Sequence, residues 1–304
     1  MKKITLTISA LAFMAVGFNS CKKAKMNRET TTSEDISKAE EVMDDVFNVT
    51  NEAGDSKDLN ESSTTNKWTP LAYSFANDTG CVTITLSPAE KQLPLDTFPK
   101  TLTVDFGTSG CVGKDGKTRK GKIKATYTGR FKIAGNSITI TTENYSVDDY
   151  LVDATKTVTN QGKNSAGHTY HTITEQATIT TPDGKTITWS SNRQREWIEG
   201  EDTWLWKLNS DSTWTWVGLS GIFDDVWEIT GNGEGTNRDG IDFTVNITTP
   251  LHIRWCNYVP EITQGVIEAQ PDGLKKRTID YGNDQCDNEA VVTIGKKQKT
   301  IQLK

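Results

Sequence analysis

Seven of the nine tryptophans fall between Trp189 and Trp227. Four of them form a pattern. Trp204-Leu205-Trp206 and Trp214-Thr215-Trp216 are mirrored about Asn209-Ser210-Asp211. A hairpin turning there opposes Trp206 to Trp214 and Trp204 to Trp216, with four indoles on one face as cross-strand pairs. Such a platform suits sugar rings, whose C–H faces stack on indole, or an acyl chain. The same rings equally serve as a buried face, since large aromatics mostly serve burial. Trp204, Trp206, Trp214 and Trp216 are therefore the candidate ligand-binding residues, with core packing as the rival reading.

Carboxylates flank this cluster at Glu196, Glu199, Glu201 and Asp202. A glycosidase needs two carboxyl groups about 5–10 Å apart across a cleft. A carbohydrate-active enzyme using these residues is the alternative to a binding module. His168 and His171 suggest a metal by type but not by spacing, because residues three apart on a strand face opposite ways. The run Gly231-Asn232-Gly233-Glu234-Gly235-Thr236-Asn237-Arg238-Asp239-Gly240, with Asp224 and Asp225, offers oxygens to a hard cation such as calcium. It lacks the ordered Asp spacing of an EF-hand loop, and a glycine-rich turn between strands explains the same residues. Neither a serine nucleophile elbow nor a phosphate-binding glycine loop is present. No catalytic residue, metal ligand or cofactor is assigned from the sequence.

A second pattern is a duplication. Val104-Asp105-Phe106-Gly107 with Cys111 returns as Ile279-Asp280-Tyr281-Gly282 with Cys286. Cys81 and Cys256 stand the same distance before each copy, so every position is offset by 175. In an exported chain four such cysteines imply disulfides, and the matched spacing favours Cys81–Cys111 and Cys256–Cys286. No two cysteines stand close and no histidine adjoins them, so zinc spacing is missing. Asp105 and Asp280 read as turn residues, with Gly107 and Gly282 permitting the bend.

Export is written at the start. Lys2 and Lys3 precede an apolar run from Ile4 to Phe18, too short and too polar to span a membrane. Phe18-Asn19-Ser20-Cys21 follows, like a lipoprotein signal in which Cys21 is acylated. Residues 1–20 are thus expected to be a signal peptide. The net charge of −6 and the lack of a basic stripe argue against nucleic acid as a partner.

The elements that must position these groups are strands. Residues 21–66 read as a flexible tether with one short amphipathic helix, marked by Ile36, Ala39, Val42, Met43, Val46 and Phe47. Residues 67–304 alternate almost throughout, as in Thr101-Leu102-Thr103-Val104 and Thr186-Ile187-Thr188-Trp189. The chain has 45 threonines, a β-branched residue suited to a pleated sheet with one wet face. Turn signals such as Pro182-Asp183-Gly184 and Asp239-Gly240 make consecutive strands antiparallel neighbours. The expected fold is all-β, a long antiparallel meander forming a sandwich or open half-barrel, with a disulfide-stapled unit near each end.

Arg119-Lys120-Gly121-Lys122-Ile123, Thr157-Val158-Thr159-Asn160, the stretch from Thr188-Trp189 to Trp197 and Gly200, and Asp280-Tyr281-Gly282 with Cys286-Asp287-Asn288 and Ala290 resemble a family of uncharacterised lipoproteins widespread in Bacteroidetes, especially flavobacteria-like bacteria. The likeness covers most of residues 35–303 and implies no activity. It does imply an outer-membrane address. Surface-exported lipoproteins of that phylum tend to carry acids after the acylated cysteine, whereas Lys22, Lys23 and Lys25 follow Cys21 here. The periplasmic face is therefore expected. The leading expectation is a lipid-anchored, non-catalytic module that binds glycan or lipid or scaffolds the envelope. A purely structural partner of another envelope protein is the third reading.

Overall fold

The computed structural model describes residues 17–57, 59, 75, 80–88, 97–201, 206–208, 214–216, 224–256 and 259–303. One helix, α1 (Gly17–Ser56), precedes the strands β1 (Thr83–Ser87), β2 (Lys100–Asp105), β3 (Cys111–Val112), β4 (Thr118–Tyr127), β5 (Ser137–Val147), β6 (Tyr150–Lys163), β7 (Thr169–Thr180), β8 (Thr186–Glu199), β9 (Trp206–Leu208), β10 (Trp214–Trp216), β11 (Val226–Thr236), β12 (Asp242–Cys256), β13 (Val259–Pro271), β14 (Arg277–Asn283), β15 (Glu289–Ile294) and β16 (Lys297–Gln302). All but β9 and β10 form one antiparallel sheet, in which strands lie beside their chain neighbours from β1 to β16. The short strand β3 adds only to β4, and β9 and β10 pair with each other.

The alternation read from the sequence sets this sheet. In β6, Val152, Ala154, Val158 and Asn160 face inward while Leu151, Asp153 and Thr155 face water. The sheet is open, not closed into a barrel. It curls round α1. Side chains from Arg119 on β4, Lys156 on β6, Arg193 on β8, Tyr281 on β14 and Lys299 on β16 all reach this one helix. A helix is only about 10–12 Å across, so strands from both halves of the sheet meet it only by wrapping.

The helix differs from the tether that composition suggests. It runs unbroken from Gly17 to Ser56, and Thr30–Gly54 is enclosed by the sheet. Ile36, Ala39, Val42, Met43, Val46 and Phe47 are buried, as their spacing requires. Three of its acids, Asp35, Glu40 and Asp45, are buried too, each against a cation from the sheet. Arg238 Nε donates to Asp35 Oδ1 at 2.5 Å, and Arg193 pairs with Glu40. Asp45 accepts from Arg119 Nε at 3.1 Å, Arg119 Nη2 at 2.5 Å and Tyr145 Oη at 2.7 Å. Burial alone would raise the Asp45 carboxyl, but Arg119 and Lys117 outweigh it and hold the pKa below its ordinary value. Residues with polar side chains are thus held as core because partners distant in sequence satisfy them. Within residues 30–54, only a stripe including Glu34, Lys38, Glu41, Asp44 and Asn48 is half-exposed. It meets solvent beside a cavity of about 410 Å³, bordered also by Lys117, Ile262 and Leu303.

Meander turns alternate between two rims. Asn237 Nδ2 donates to Thr32 Oγ1 at 2.9 Å, so the β11–β12 turn lies where α1 enters. The β5–β6, β7–β8, β13–β14 and β15–β16 turns share this entry rim. The far rim holds the β4–β5 and β6–β7 turns and the excursion between β8 and β11. There Phe47 lies near Arg195, and Phe131 N donates to Leu59 O at 2.9 Å.

The duplication is structural. Cys81–Cys111 and Cys256–Cys286 are bonded, with Cα atoms 5.7 and 5.5 Å apart. Gly107 N donates to Asp105 Oδ1, and Gly282 N to Asp280 Oδ1, each at 2.9 Å. Phe106 and Tyr281 are buried beside these turns. One unit staples the start of the sheet, the other its last third.

Candidate binding rim

The excursion of residues 200–225 leaves the sheet at the far rim, and its base is sharply defined. Gly200 has φ +89°, and a Cβ there would stand 2.7 Å from Asp225 Cα. Only glycine lets β8 and β11 approach this closely. The approach sets Trp227 opposite Trp197, after a register shift at Val226. Their rings stack at 4.6 Å with 25° between planes. Trp197 Nε1 donates to Asp225 Oδ1 at 3.2 Å.

The stack extends into a belt. The His171 ring lies 5.6 Å from Trp227 and 5.0 Å from Phe131. The Arg195 guanidinium sits 4.0 Å from the Trp227 ring centre and 5.0 Å from that of Phe47. Aromatic pairs of this kind add about 0.5–1.5 kcal/mol each beyond burial. Trp197, Trp227 and Arg195 are half-buried, so the belt has an accessible edge. Among the described residues Arg195 makes no hydrogen bond or ion pair, and its Nε is sealed from solvent. A guanidinium lying flat on indole keeps its donors free in its own plane.

The charges of the belt follow from burial. Burial, and then Arg195, push the His171 imidazole down to about 3, so it is neutral. Burial, helped by Asp224, pushes Asp225 up to about 8 despite Trp197 and Arg195. Burial draws Arg195 down to about 10 against the pull of Asp44 and Asp225. Near pH 7 the belt is therefore an aromatic surface with one cation, and Asp225 is mostly protonated.

The residues singled out by sequence are placed as follows. Trp206 pairs with Trp216, and Trp214 with Leu208. The hairpin axis thus falls at Asp211, and the expected pairing of Trp206 with Trp214 is corrected. Trp204 and the side chains of the other three lie outside the described residues, as does Asp202. Glu196 meets His168 Nδ1 at 2.7 Å. Glu201 accepts from Thr169 Oγ1 at 2.5 Å and pairs with Lys163 at 3.2 Å. Burial would raise Glu201, but the Thr169 bonds and Lys163 leave its pKa lowered. These two acids fasten β7 to the end of β8. Glu199 is exposed. The carboxyl group raised in this region is Asp225, outside the expected set.

His168 is half-exposed and His171 buried, on opposite sides as their spacing requires. The stretch of residues 231–240, weighed between a cation loop and a glycine-rich turn, is strand and turn. Residues 231–236 belong to β11, and Asn237–Gly240 is a tight turn in which Asn237 Oδ1 accepts from Asp239 N and Ile241 N at 3.0 and 2.9 Å. Among the described residues no cluster of three or more His, Cys, Asp or Glu could hold a metal. Sequence reasoning overlooked Trp197, Trp227 and Arg195. Their signal was present, because Trp197 and Trp227 continue the mirror of the excursion about nearly the same axis.

Fold and rim together define an open, helix-cored antiparallel half-barrel whose far rim carries an aromatic belt with Arg195 stacked on it. No known family, curated protein or solved structure matches the chain.

Proposed function

We propose that this chain is an outer-membrane lipoprotein of the uncharacterised Bacteroidetes type, acylated at Cys21, whose domain binds an envelope glycan without catalysis. The observation that carries the reading is the half-exposed Trp197–Trp227 stack with Arg195, at the base of an excursion bearing Trp204, Trp206, Trp214 and Trp216. Indole faces suit the C–H faces of sugars, and a stacked guanidinium suits their hydroxyl or carboxylate oxygens.

Position favours glycan over lipid. Cys21 and Phe47 lie on the same continuous helix, about 39 Å apart along its axis. The belt beside Phe47 then stands well outside the bilayer that holds Cys21, facing the glycan side of the envelope. Lys22, Lys23 and Lys25 after Cys21 support the periplasmic face. Because α1 is docked, the domain is held close to the membrane by a strut, not hung on a long tether.

The test is co-sedimentation with purified insoluble envelope glycan. Binding should fall at least about tenfold in Trp197→Ala/Trp227→Ala, the loss of roughly 1.4 kcal/mol of stacking. Equal binding by that variant, or none by the parent to any envelope glycan, refutes the reading. Retention of Cys21→Ser in the membrane fraction refutes the anchor.

A further inference from the structure

Arg195 on β8 is a cation without a partner. Three other inward cations of the sheet are each paired: Arg119 with Asp45 and Asp115, Lys156 with Glu175 at 2.7 Å, and Arg193 with Glu40. The Arg195 guanidinium lies instead against rings, 4.0 Å from the Trp227 centre and 5.0 Å from that of Phe47. Its Nε is sealed from solvent with no acceptor, whereas Nη1 and Nη2 are not sealed. Two acids act on it from a distance. Asp44 stands on the half-exposed stripe of α1, and Asp225 is bonded to Trp197 Nε1. Neither forms an ion pair with Arg195. Burial outweighs them both, which is why the guanidinium is drawn down to about 10.

Two neutral donors belong to the same belt. His171 is directly opposite Arg195 in the β7–β8 ladder, which sets their Cβ atoms about 5 Å apart. At 5% exposure its ring makes no hydrogen bond among the described residues, and being neutral it offers one N–H. Asp225, mostly protonated near pH 7, offers an O–H while its other oxygen accepts from Trp197. A half-buried charge left unpaired is costly, and a ligand anion offsets that cost where a neutral group does not.

We infer that the glycan held at this rim is acidic, and that Arg195 receives a carboxylate carried on its sugar ring. The inference rests on the glycan-binding reading, and it names the class of glycan. The edge of a guanidinium matches a planar carboxylate through parallel N–H···O bonds. The indoles then take the C–H face of the sugar while Arg195 takes its charge. Stacking on Trp227 holds the guanidinium in place before the ligand arrives, so little side-chain freedom is lost on binding. A neutral sugar leaves Arg195 as unpaired as before. A sugar bearing a free ammonium sets a like charge beside it.

The experiment titrates the mature chain by calorimetry with soluble probes of one length: hexagalacturonate, its methyl ester and hexaglutamate. The ester keeps the rings and loses the charge, and hexaglutamate keeps the charge and lacks the rings. Hexagalacturonate should bind at least about tenfold more tightly than either, the difference expected of charge-assisted hydrogen bonds. Arg195→Gln should bring acid and ester to within about twofold of each other, with near-ultraviolet circular dichroism reporting whether the variant is folded. Should it not fold, the comparison of acid with ester on the parent chain decides alone. Equal affinity of acid and ester, equal affinity of hexaglutamate, or an undiminished preference in folded Arg195→Gln overturns the inference. Failure of the two readings is separable. Acid and ester that bind equally, and that both weaken in Trp197→Ala/Trp227→Ala, sink the acidic class and leave the glycan reading. No binding of either sugar oligomer, or of neutral chitohexaose, sinks both.

Discussion

Replacing Asp45 by alanine tests whether α1 is core or tether. Asp45 accepts from Arg119 through both of its oxygens and from Tyr145, and Lys117 lies 3.5 Å away. Removing one member of a buried ion pair typically costs about 3–5 kcal/mol, because the other charge is stranded. Arg119, at 1% exposure, keeps Asp115 at 3.1 and 2.5 Å, and Lys117 keeps Glu41 at 3.2 Å, which places the expected loss at the low end. The Tyr145 hydroxyl loses its acceptor, adding about 1 kcal/mol. The sum is a loss of about 3–4 kcal/mol, read by urea denaturation at pH 7 with an unchanged slope. The sign with pH follows from the lowered pKa. Its stabilisation is present above the ordinary value of 3.8 and disappears as pH falls through the folded value. Parent and variant should therefore converge in strong acid. A loss below about 1 kcal/mol at pH 7 would refute an integral helix.

Further expectations concern other parts of the fold. Glu40, with Arg193 beside it, is raised from 4.5 to about 7, chiefly by burial. Its contribution is present below pH 4.5 and lost as pH rises through 7. Glu40→Gln should therefore gain on the parent by up to about 3 kcal/mol across that window, read from denaturation midpoints at several pH values. Cys256→Ser/Cys286→Ser opens a loop with sequence separation 30, and should lose about 3–4 kcal/mol in calorimetry or denaturation. Gly121→Ala would set a Cβ 2.1 Å from Asn144 O at φ +76°, whereas Gly116→Ala meets nothing within 4 Å at φ +79°. The first should cost at least about 2 kcal/mol more than the second.

Much of the sheet was legible because it is made of local signals. Period-two runs, Asp-Gly turns and two equal cysteine spacings fix strands, pairing and staples within short windows. The helix was half legible. Ile36 through Phe47 marked its apolar stripe, but Asp35, Glu40 and Asp45 look solvated in any local window. Their partners Arg238, Arg193 and Arg119 lie 203, 153 and 74 residues away. The hint sat on the sheet side, where Lys156 and Arg193 occupy inward positions of alternating strands. The Trp hairpin shows the limit of pattern reading. Moving the axis from Ser210 to Asp211 preserves the alternation, so the same apolar pattern suits both registers. The belt escaped notice because it joins β7, β8, β11 and α1, which only the curl of the sheet brings together.

The central claim is that the far rim receives a glycan. It is tested most directly by titrating intrinsic tryptophan fluorescence with soluble fragments of envelope glycan. The account expects a saturable change that Trp197→Ala/Trp227→Ala abolishes and that lipid vesicles without glycan do not reproduce. No response across a broad glycan panel, or the same response in the variant, would contradict it.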